Sequence, residues 1–374
     1  MSRNGPRFTH PGGNMEKLRL GLIGCGDIAF RSYLPAIKEM ANRIDLVAVC
    51  DTDVARAERA KAEYGARQVF ADAEEMLAKA SLDGVMVLTS MVPHGPLSIM
   101  ALEAGKHVYV EKPMAVELTQ ADRMLELSES KGLVLSCAPS TILLSAFQRV
   151  KQLIDSGEVG RITFVHAIGA HHGPARWDGY TSDPTWFYQK GAGPLFDLAV
   201  YPVQILTQLF GPVQRVSAFA GLAVPELTIT AEPVRGKTLR PEVDDTVVMI
   251  LQFASRGQAA GTFATLDCSF NMLNSRLPNM QFFGTSGSLT APQFLGDEVG
   301  VWHQGDKEWQ ITHLPATLYD RLGVAAGLPH WLDSIEAGRQ PINNARHARH
   351  VVEVLTACKV SSDTNKAIPI AGGF

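Results

Sequence analysis

The stretch LRLGLIGCGDIAF, residues 18–30, joins an apolar run to a glycine-rich turn. Gly24, Gly26 and Ala29 form the pattern G-x-G-x-x-A directly after the apolar run. Gly24 permits a tight turn, Gly26 lets the backbone approach a pyrophosphate, and Ala29 lets the following helix pack closely on the strand. The stretch therefore predicts a strand, a turn and a helix that together bind a dinucleotide.

The residues that follow this turn extend the prediction. Asp27 and Ile28 open the helix, whose amino terminus attracts phosphate charge, so we expect them at the cofactor. Asp51 ends the second apolar run, 25 residues after Gly26, where a carboxylate accepts hydrogen bonds from the ribose hydroxyls of NAD. This carboxylate would repel the 2′-phosphate of NADP, whereas Arg56 is near enough in sequence to leave NADP open. A plain helix cap is the other interpretation of Asp51.

The rest of the chain divides into two patterns. From residue 18 to about residue 137, apolar runs alternate with amphipathic runs. This pattern indicates a parallel sheet covered on both faces by helices, a doubly wound α/β domain. After residue 160, β-branched and aromatic runs predict a mainly antiparallel sheet. We expect a flexible tail at 1–15, a nucleotide-binding domain at 16–138, and an α+β domain for substrate binding and oligomerisation at 139–374.

Composition excludes several classes of partner. The chain of 374 residues has a formal net charge of −4, so no basic excess exists to bind nucleic acid or an acidic membrane. No apolar run reaches the roughly 18 residues of a membrane span. Five scattered cysteines without a CxxC pair fit reduced thiols in a cytoplasm. The histidine pairs at 171–172 and 347/350 lack a cysteine or carboxylate at ligand spacing, so no metal site is expected.

The stretch KGAGPLFDLAVYP at residues 190–202 sets one acid and one phenol in apolar surroundings. If residues 197–201 are helical, the i, i+4 spacing brings Asp197 and Tyr201 to one face. Pro202 restricts the backbone of Tyr201, so the alternative is a helix that begins around Pro202. The dipole of such a helix start would favour a phenolate.

Two further segments complete a recognisable set of motifs. VLTSMVPHGPL occupies residues 87–97, and MALEAGKHVYVEKPMA occupies residues 100–115. With GLIGCGDIA before them and GAGPLFDLAVY after them, the chain resembles the glucose–fructose oxidoreductase / inositol dehydrogenase family (Gfo/Idh/MocA) from about residue 18 onward. The resemblance implies a Rossmann domain followed by a large open-faced antiparallel sheet with helices on one side. It also implies a homodimer or homotetramer formed through that sheet.

The resemblance also assigns residues to the cofactor. The lysine of the family's EKP motif reaches substrate and nicotinamide, and Lys112, preceded by Glu111, holds that place here. Thr89 and His94 stand in the family's T-P-x-x-x-H turn, with Ser90 in the usual place of proline. We therefore expect Thr89, His94, Glu111 and Lys112 at the cofactor. His94 would serve to position other groups rather than to transfer protons.

Asp197 and Tyr201 hold the places of the family's acid/base pair, which is commonly an aspartate and a histidine. Tyrosine at the second place resembles glucose–fructose oxidoreductase and the dihydrodiol and xylose dehydrogenases, and Gln204 replaces a frequent acidic residue. A free tyrosine titrates near pKa ~10, so we expect the Lys112 ammonium to lower the pKa of Tyr201 into a useful range. Asp197 would then either fix the substrate hydroxyl or hold the lysine.

These residues predict an NAD(P)-dependent oxidoreductase acting on a sugar, polyol or related cyclic alcohol. The cofactor would carry the hydride, while the protein would bind the small-molecule substrate and handle the hydroxyl proton. One alternative is an NADPH-dependent reductase of the dihydrodiol or anhydro-sugar type. A second alternative is a catalytically silent family member that binds the dinucleotide as a sensor or regulator.

Overall fold

The computed structural model of the chain describes residues 17–254, 261–292 and 295–374. The tail expected at residues 1–15 lies outside these ranges. Two large sheets organise the described residues, and their order along the chain matches the two patterns of the sequence. In these ranges, every helix is too short or too polar to cross a membrane.

The first sheet has six parallel strands in the spatial order β3-β2-β1-β4-β5-β6. The four-residue β4 and β5 are buried throughout, as expected of parallel strands covered on both faces. The strand order reverses between β1 and β4, and ligands of such sheets bind at that crevice. The strands are β1 (Leu18–Ile23), β2 (Ile44–Cys50), β3 (Gln68–Phe70), β4 (Gly84–Val87), β5 (His107–Val110) and β6 (Leu135–Cys137).

Helices connect these strands, which confirms the doubly wound domain. A π-helical turn at Ala29–Tyr33 precedes α1. Asp53 caps α2 by accepting a hydrogen bond of 3.1 Å from the Ala55 amide. Asp51 is therefore not the cap of this helix. The helices are α1 (Leu34–Glu39), α2 (Val54–Tyr64), α3 (Ala73–Lys79), α4 (His94–Glu103) and α5 (Leu118–Ser130).

The second sheet has nine strands in the order β16-β15-β14-β13-β7-β12-β11-β8-β17. Only β7 and β12 pair in parallel, so the expectation of a mainly antiparallel sheet is confirmed. The strands are β7 (Ile162–Ala170), β8 (Val213–Gly221), β11 (Thr246–Phe253), β12 (Phe263–Ser269), β13 (Met280–Gly284), β14 (Gly287–Ala291), β15 (Glu298–His303), β16 (Gln310–His313) and β17 (Ile368–Pro369). A separate pair, β9 (Leu227–Thr228) and β10 (Thr238–Leu239), forms a small sheet of its own.

Helices cover one face of this second sheet and leave the other face open. Helices α6, α7, α8 and α11 all pack against its strands. Successive residues of β11 point alternately to the two faces. Val247 and Met249 are buried on the packed face, and Val248 and Ile250 are exposed on the open face. The helices are α6 (Ser145–Asp155), α7 (Pro194–Asp197), α8 (Val200–Phe210), α9 (Leu318–Leu322), α10 (Gly327–Glu336) and α11 (Ala345–Thr364).

The last helices return to the first sheet. Trp331 of α10 is fully buried, with its ring centroid 5.8 Å from that of Tyr109 on β5. Ala348 and Val352 of α11 join the core beneath the same sheet, while α11 also packs on β8. Residues within the range 139–374 therefore pack on both sheets, and this packing holds the two sheets around a common crevice.

Candidate active site

The glycine turn lies at the carboxyl end of β1, beside the loop after β4. Gly24 has a φ of 96°, and a Cβ there would lie 2.7 Å from the backbone carbon of Leu88. A Cβ on Gly26 would instead meet no described atom within 4 Å. The packing of the Leu88 backbone therefore requires glycine at position 24, whereas the space beside Gly26 is open to a ligand. This geometry fits a pyrophosphate laid over the turn.

Asp51 holds the same turn in place. Its carboxylate accepts hydrogen bonds of 2.7 Å from the Cys25 amide and 2.8 Å from the Asp53 amide. Because the side chain remains partly exposed, the carboxylate also stands beside the place expected for the ribose. Arg56, the cation that could favour NADP, forms an ion pair of 3.2 Å with Asp53. Its guanidinium therefore already has an acidic partner.

Asp27 makes contacts that its place in the sequence did not suggest. Its carboxylate accepts hydrogen bonds of 2.8 Å from the Thr181 hydroxyl and 2.9 Å from the Arg31 guanidinium. Arg31 in turn lies 4.9 Å from the ring centroid of Trp177. Asp27 therefore joins the nucleotide turn to a loop of the second domain. Its neighbour Ile28 stays half-buried at the helix start.

Three expected cofactor residues lie between the turn and Lys112. Thr89 follows β4, and its amide lies where a Cβ on Gly24 would clash. The His94 ring is 1 % exposed, with Nδ1 at 2.8 Å from the Pro113 carbonyl and Nε2 at 3.0 Å from the Thr89 carbonyl. This arrangement supports a positioning role for His94. The buried Glu111 carboxylate accepts a hydrogen bond of 2.6 Å from the Tyr33 hydroxyl.

Lys112, Asp197 and Tyr201 come together at the crevice. The Lys112 ammonium forms an ion pair with the Asp197 carboxylate and donates a hydrogen bond of 2.8 Å to the Asp197 carbonyl. It also lies 5.1 Å from the ring centroid of Tyr201. Of the two roles considered for Asp197, the contacts favour holding the lysine.

The backbone reaches this arrangement without one continuous helix. Asp197 ends α7, and Tyr201 is the second residue of α8, with a turn at 198–199 between them. Pro202 is thus accommodated in the first turn of α8, where no intrahelical N–H is required. Of the two expectations, the structure shows the helix that begins near Pro202.

The protonation states differ from the expectation. Burial raises the pKa of Tyr201 to about 12, and the Lys112 ammonium opposes this rise without overcoming it. The prediction that Lys112 brings the pKa of Tyr201 down toward neutrality is therefore wrong for this state. For Lys112, burial lowers the pKa, but the charges of Asp197, Tyr201 and Glu111 outweigh it and hold the pKa above its usual value. At neutral pH the site therefore holds the Lys112 ammonium, ion-paired with Asp197, and a neutral phenol on Tyr201.

Two family models match the chain on either side of this crevice. One, described as "Oxidoreductase family, NAD-binding Rossmann fold", matches residues 18–138, and the "GFO/IDH/MocA C-terminal domain" matches residues 147–290. The chain belongs to the GFO/IDH/MocA oxidoreductase family. The resemblance drawn from the motifs and the expected Rossmann fold are confirmed, and the description of the first model names NAD as the nucleotide.

Individual GFO/IDH/MocA proteins are similar over different lengths. A 1-carboxy-3-chloro-3,4-dihydroxycyclohexa-1,5-diene dehydrogenase of Comamonas testosteroni is 33% identical over 54% of this chain. The match covers 50% of the length of that relative. A myo-inositol 2-dehydrogenase of Thermotoga maritima is 22% identical over 94% of this chain and 98% of its own. The WlbA dehydrogenase of Bordetella pertussis, solved with NADH and UDP-GlcNAcA, is 25% identical with a TM-score of 0.74, covering 95% of this chain and 99% of its own.

The sequence did not single out His171 for this family site. The Gly173 amide donates a hydrogen bond of 2.8 Å to His171 Nδ1, which assigns the proton of the neutral ring to Nε2. Burial lowers the pKa of His171, while Asp197 raises it and Lys112 lowers it, so both charges lie near this ring. His171 directly follows β7, and an arrangement at the end of a strand in the second sheet has no local sequence signal.

The other histidine pair serves the core of the second domain. His347 Nε2 lies 2.8 Å from the Thr207 hydroxyl, and His350 Nε2 accepts a hydrogen bond of 3.0 Å from the Val213 amide. Burial lowers the pKa of His347 to about 3 and that of His350 to about 4, so both rings are neutral. Within the ranges that the structure covers, no three histidine, cysteine or acidic side chains are grouped to hold a metal ion.

The two turn glycines give a paired prediction. We expect Gly24→Ala to lower the melting temperature, because its Cβ would overlap the Leu88 backbone at a φ of 96°. We expect Gly26→Ala to fold like the wild type but to bind NADH at least about tenfold more weakly, because its Cβ fills ligand space. Thermal unfolding and NADH fluorescence titration measure both effects. Unchanged NADH affinity in Gly26→Ala would contradict the placement of the pyrophosphate.

Proposed function

We propose that the chain is an NAD-dependent oxidoreductase that interconverts a secondary alcohol and a ketone in a sugar, polyol or related cyclic alcohol. The observation that carries the proposal is the meeting of Lys112, at the strand end next to Glu111, with Asp197 and Tyr201 of the second domain. The names of two relatives add support, since one is a dehydrogenase of a carboxylated cyclic diol and the other of myo-inositol. A silent dinucleotide sensor would have no need for a buried ammonium and phenol at this place.

Each side chain has a defined task in this proposal. When bound, NAD would supply the hydride-transfer chemistry. Tyr201 is protonated at neutral pH, so its hydroxyl donates a proton to the oxygen of a ketone and regains it when the alcohol is oxidised. The Lys112 ammonium stabilises negative charge that develops on that oxygen and on the phenol. Asp197 holds the ammonium in position.

We infer a preference for NAD over NADP. The Asp51 carboxylate stands at the turn, and its negative charge repels a 2′-phosphate. The nearest basic side chain in the sequence, Arg56, is neutralised by Asp53. An NADPH-dependent reductase of the dihydrodiol or anhydro-sugar type remains the alternative that the test below separates.

The test records absorbance at 340 nm with NAD and NADP over a panel of polyols, aldoses, anhydro-sugars and cyclic diols. We expect turnover with NAD on at least one cyclic alcohol. Faster turnover with NADPH on ketones would favour the alternative reductase. Tight NADH binding with no turnover on any member of the panel, in either direction, would contradict the proposal and favour the sensor.

We also propose that two copies associate through the open face of the nine-stranded sheet. Phe219 is 73 % exposed, and it is paired across the ladder with the exposed Val248. Phe164 and Phe263 continue the apolar surface on β7 and β12, where they are direct partners. The family resemblance supports a contact through this sheet, and a second copy would present the same apolar face in return.

A charge on this open face tests the association. We expect Phe219→Lys to shift the chain to a monomer, because each contact would bury two unpaired ammonium groups. Val360→Lys, on the exposed side of α11, supplies the matched control, since Val360 is 46 % exposed but lies outside the sheet. Light scattering after size exclusion measures the mass. Equal masses for Phe219→Lys and Val360→Lys would contradict the proposed contact.

We infer a reducing compartment such as the cytoplasm. All five cysteines are free and buried, and none is joined in a disulfide. This usage supports a location in which thiols stay reduced.

A further inference from the structure

A second pocket opens on the loop that follows β7. Its lining comes from one segment and one opposing residue: His172, Arg176, Trp177, Asp178, Gly179 and Leu273. The same segment carries His171, which lies near Lys112 and Asp197. The ring centroid of Trp177 in this lining lies 4.9 Å from the Arg31 guanidinium, which donates a hydrogen bond of 2.9 Å to Asp27 of the nucleotide turn, so the pocket adjoins that turn.

Arg176 is the unusual residue of this pocket. Its guanidinium donates a hydrogen bond of 3.3 Å to the Asn271 side-chain oxygen, and among the described residues it forms no ion pair with a carboxylate. Two other arginines of the domain are paired instead: Arg235 with Glu232 at 2.8 Å and Arg240 with Glu226 at 2.7 Å. A half-buried guanidinium without a carboxylate retains most of its donors for an outside anion.

Asn271, which is not itself a lining residue, contacts Arg176 and carries a second donor. Its Nδ2 is buried and has no hydrogen-bond partner in the described part of the chain. The backbone of Asn271 is fixed, because its amide donates a hydrogen bond of 2.9 Å to the Ser269 hydroxyl. A buried N–H group without a partner costs free energy, and an anion held by Arg176 would satisfy it.

The carboxylate of Asp178 does not cancel this positive character. Its side chain is 81 % exposed and lies 3.9 Å from the Arg235 guanidinium. Solvent and Arg235 therefore screen the one acidic group that lines the pocket.

Tyr188 connects the pocket to the reacting groups. Next to it, the Phe187 carbonyl accepts a hydrogen bond of 2.9 Å from the Gly193 amide, and the Gly193 carbonyl accepts one of 2.9 Å from the Asp197 amide. The Tyr188 hydroxyl also accepts a hydrogen bond of 3.2 Å from the Ala175 amide, next to Arg176. A single cyclic substrate can therefore place one group at Arg176 and a reacting carbon near Asp197.

We propose that Arg176 and Asn271 bind an anionic group of the substrate, so that the enzyme selects acidic sugars or cyclic acids over neutral polyols. This inference rests on the proposed function for the location of the reacting carbon. A carboxylate and a phosphate share the required chemistry, because both accept two parallel hydrogen bonds from a guanidinium. The anion binds away from the carbon that exchanges hydride, so Arg176 positions the substrate and sets specificity.

The experiment compares matched probes on the NADH-loaded enzyme: glucose, glucuronate, glucose 6-phosphate and UDP-glucose. Binding is followed by tryptophan fluorescence, for which Trp177 in the pocket is a reporter, and by calorimetry. We expect at least one anionic probe to bind the wild type at least about tenfold more tightly than glucose. The preferred probe identifies the anion as a carboxylate, a phosphate monoester or a diphosphate.

Arg176→Met and Asn271→Ala test the donors, and Arg240→Met is the matched control at an exposed, paired arginine. We expect Arg176→Met to weaken binding of the preferred anion at least about tenfold, with affinity for glucose unchanged and the control like the wild type. If the preferred anionic probe is also a substrate, Arg176→Met should raise its KM and leave kcat unchanged. Anion affinity unchanged in Arg176→Met, or no anion preference in the wild type, would overturn the inference. If the anion binds as expected but no substrate is oxidised or reduced, the proposed function fails and the anion site stands.

Discussion

Lys112→Ala should lower kcat/KM by at least about 100-fold while leaving NADH affinity within a few-fold of the wild type. The ammonium is the group that joins Asp197 to Tyr201, and its removal leaves negative charge on the substrate oxygen without a cation. It also removes the charge that opposes the raised pKa of Tyr201, so the phenol becomes a still weaker acid and even less of it is deprotonated at neutral pH. Initial rates at 340 nm and NADH titration measure the two quantities.

A stability effect must be separated from this catalytic effect. Lys112→Ala leaves the Asp197 carboxylate buried and unpaired, which costs about 3 kcal/mol or more of unfolding free energy. The double variant Lys112→Ala/Asp197→Asn removes that charge, so we expect it to regain melting temperature without regaining activity. Lys151→Ala removes an exposed lysine paired with Asp155 and should match the wild type in both respects. Activity within threefold of the wild type in a folded Lys112→Ala enzyme would refute the role given to the ammonium.

Tyr201→Phe should lower kcat by about 100-fold or more and abolish the pH dependence of alcohol oxidation. Because the pKa of Tyr201 is raised to about 12, the hydroxyl is neutral at pH 7 and is an acid rather than a base. Ketone reduction uses the neutral form, so its rate in the wild type should be flat from pH 6 to 9. Alcohol oxidation needs the deprotonated form, whose fraction grows about tenfold per pH unit below the pKa, so that rate should rise with pH.

The control for this prediction is Tyr64→Phe, on α2, where the ring packs edge-on against Phe30 at 6.1 Å. This variant should keep the wild-type profile. A rising oxidation profile that persists in Tyr201→Phe would assign the proton to another group, and His171 would then be the first residue to test.

Several features of the fold follow directly from the sequence. Gly24 must be glycine because its φ is positive and the Leu88 backbone lies against it, and such local geometry has a local sequence signal. The strands β4 and β5 are also visible in the sequence as continuous apolar runs, because both faces of a central parallel strand are buried. Lys112, Asp197 and Tyr201 met as expected because their motifs belong to one family pattern.

Other features depend on contacts between distant segments, which no local pattern records. The pKa of Tyr201 follows from the burial of its ring, and proximity to a lysine in a motif does not reveal that burial. Asp27 is held by Thr181, which lies 154 positions away in the chain. Arg176 can be identified only from the structure, in which no carboxylate among the described residues forms an ion pair with it.

The most direct test of the central claim is a crystal structure of the enzyme with NADH and a substrate acid or polyol. The account predicts the pyrophosphate over Gly26, with the nicotinamide ring next to the substrate and the substrate hydroxyl in contact with Lys112 and Tyr201. A nicotinamide ring bound elsewhere, with Lys112 and Tyr201 in contact with neither cofactor nor substrate, would contradict it.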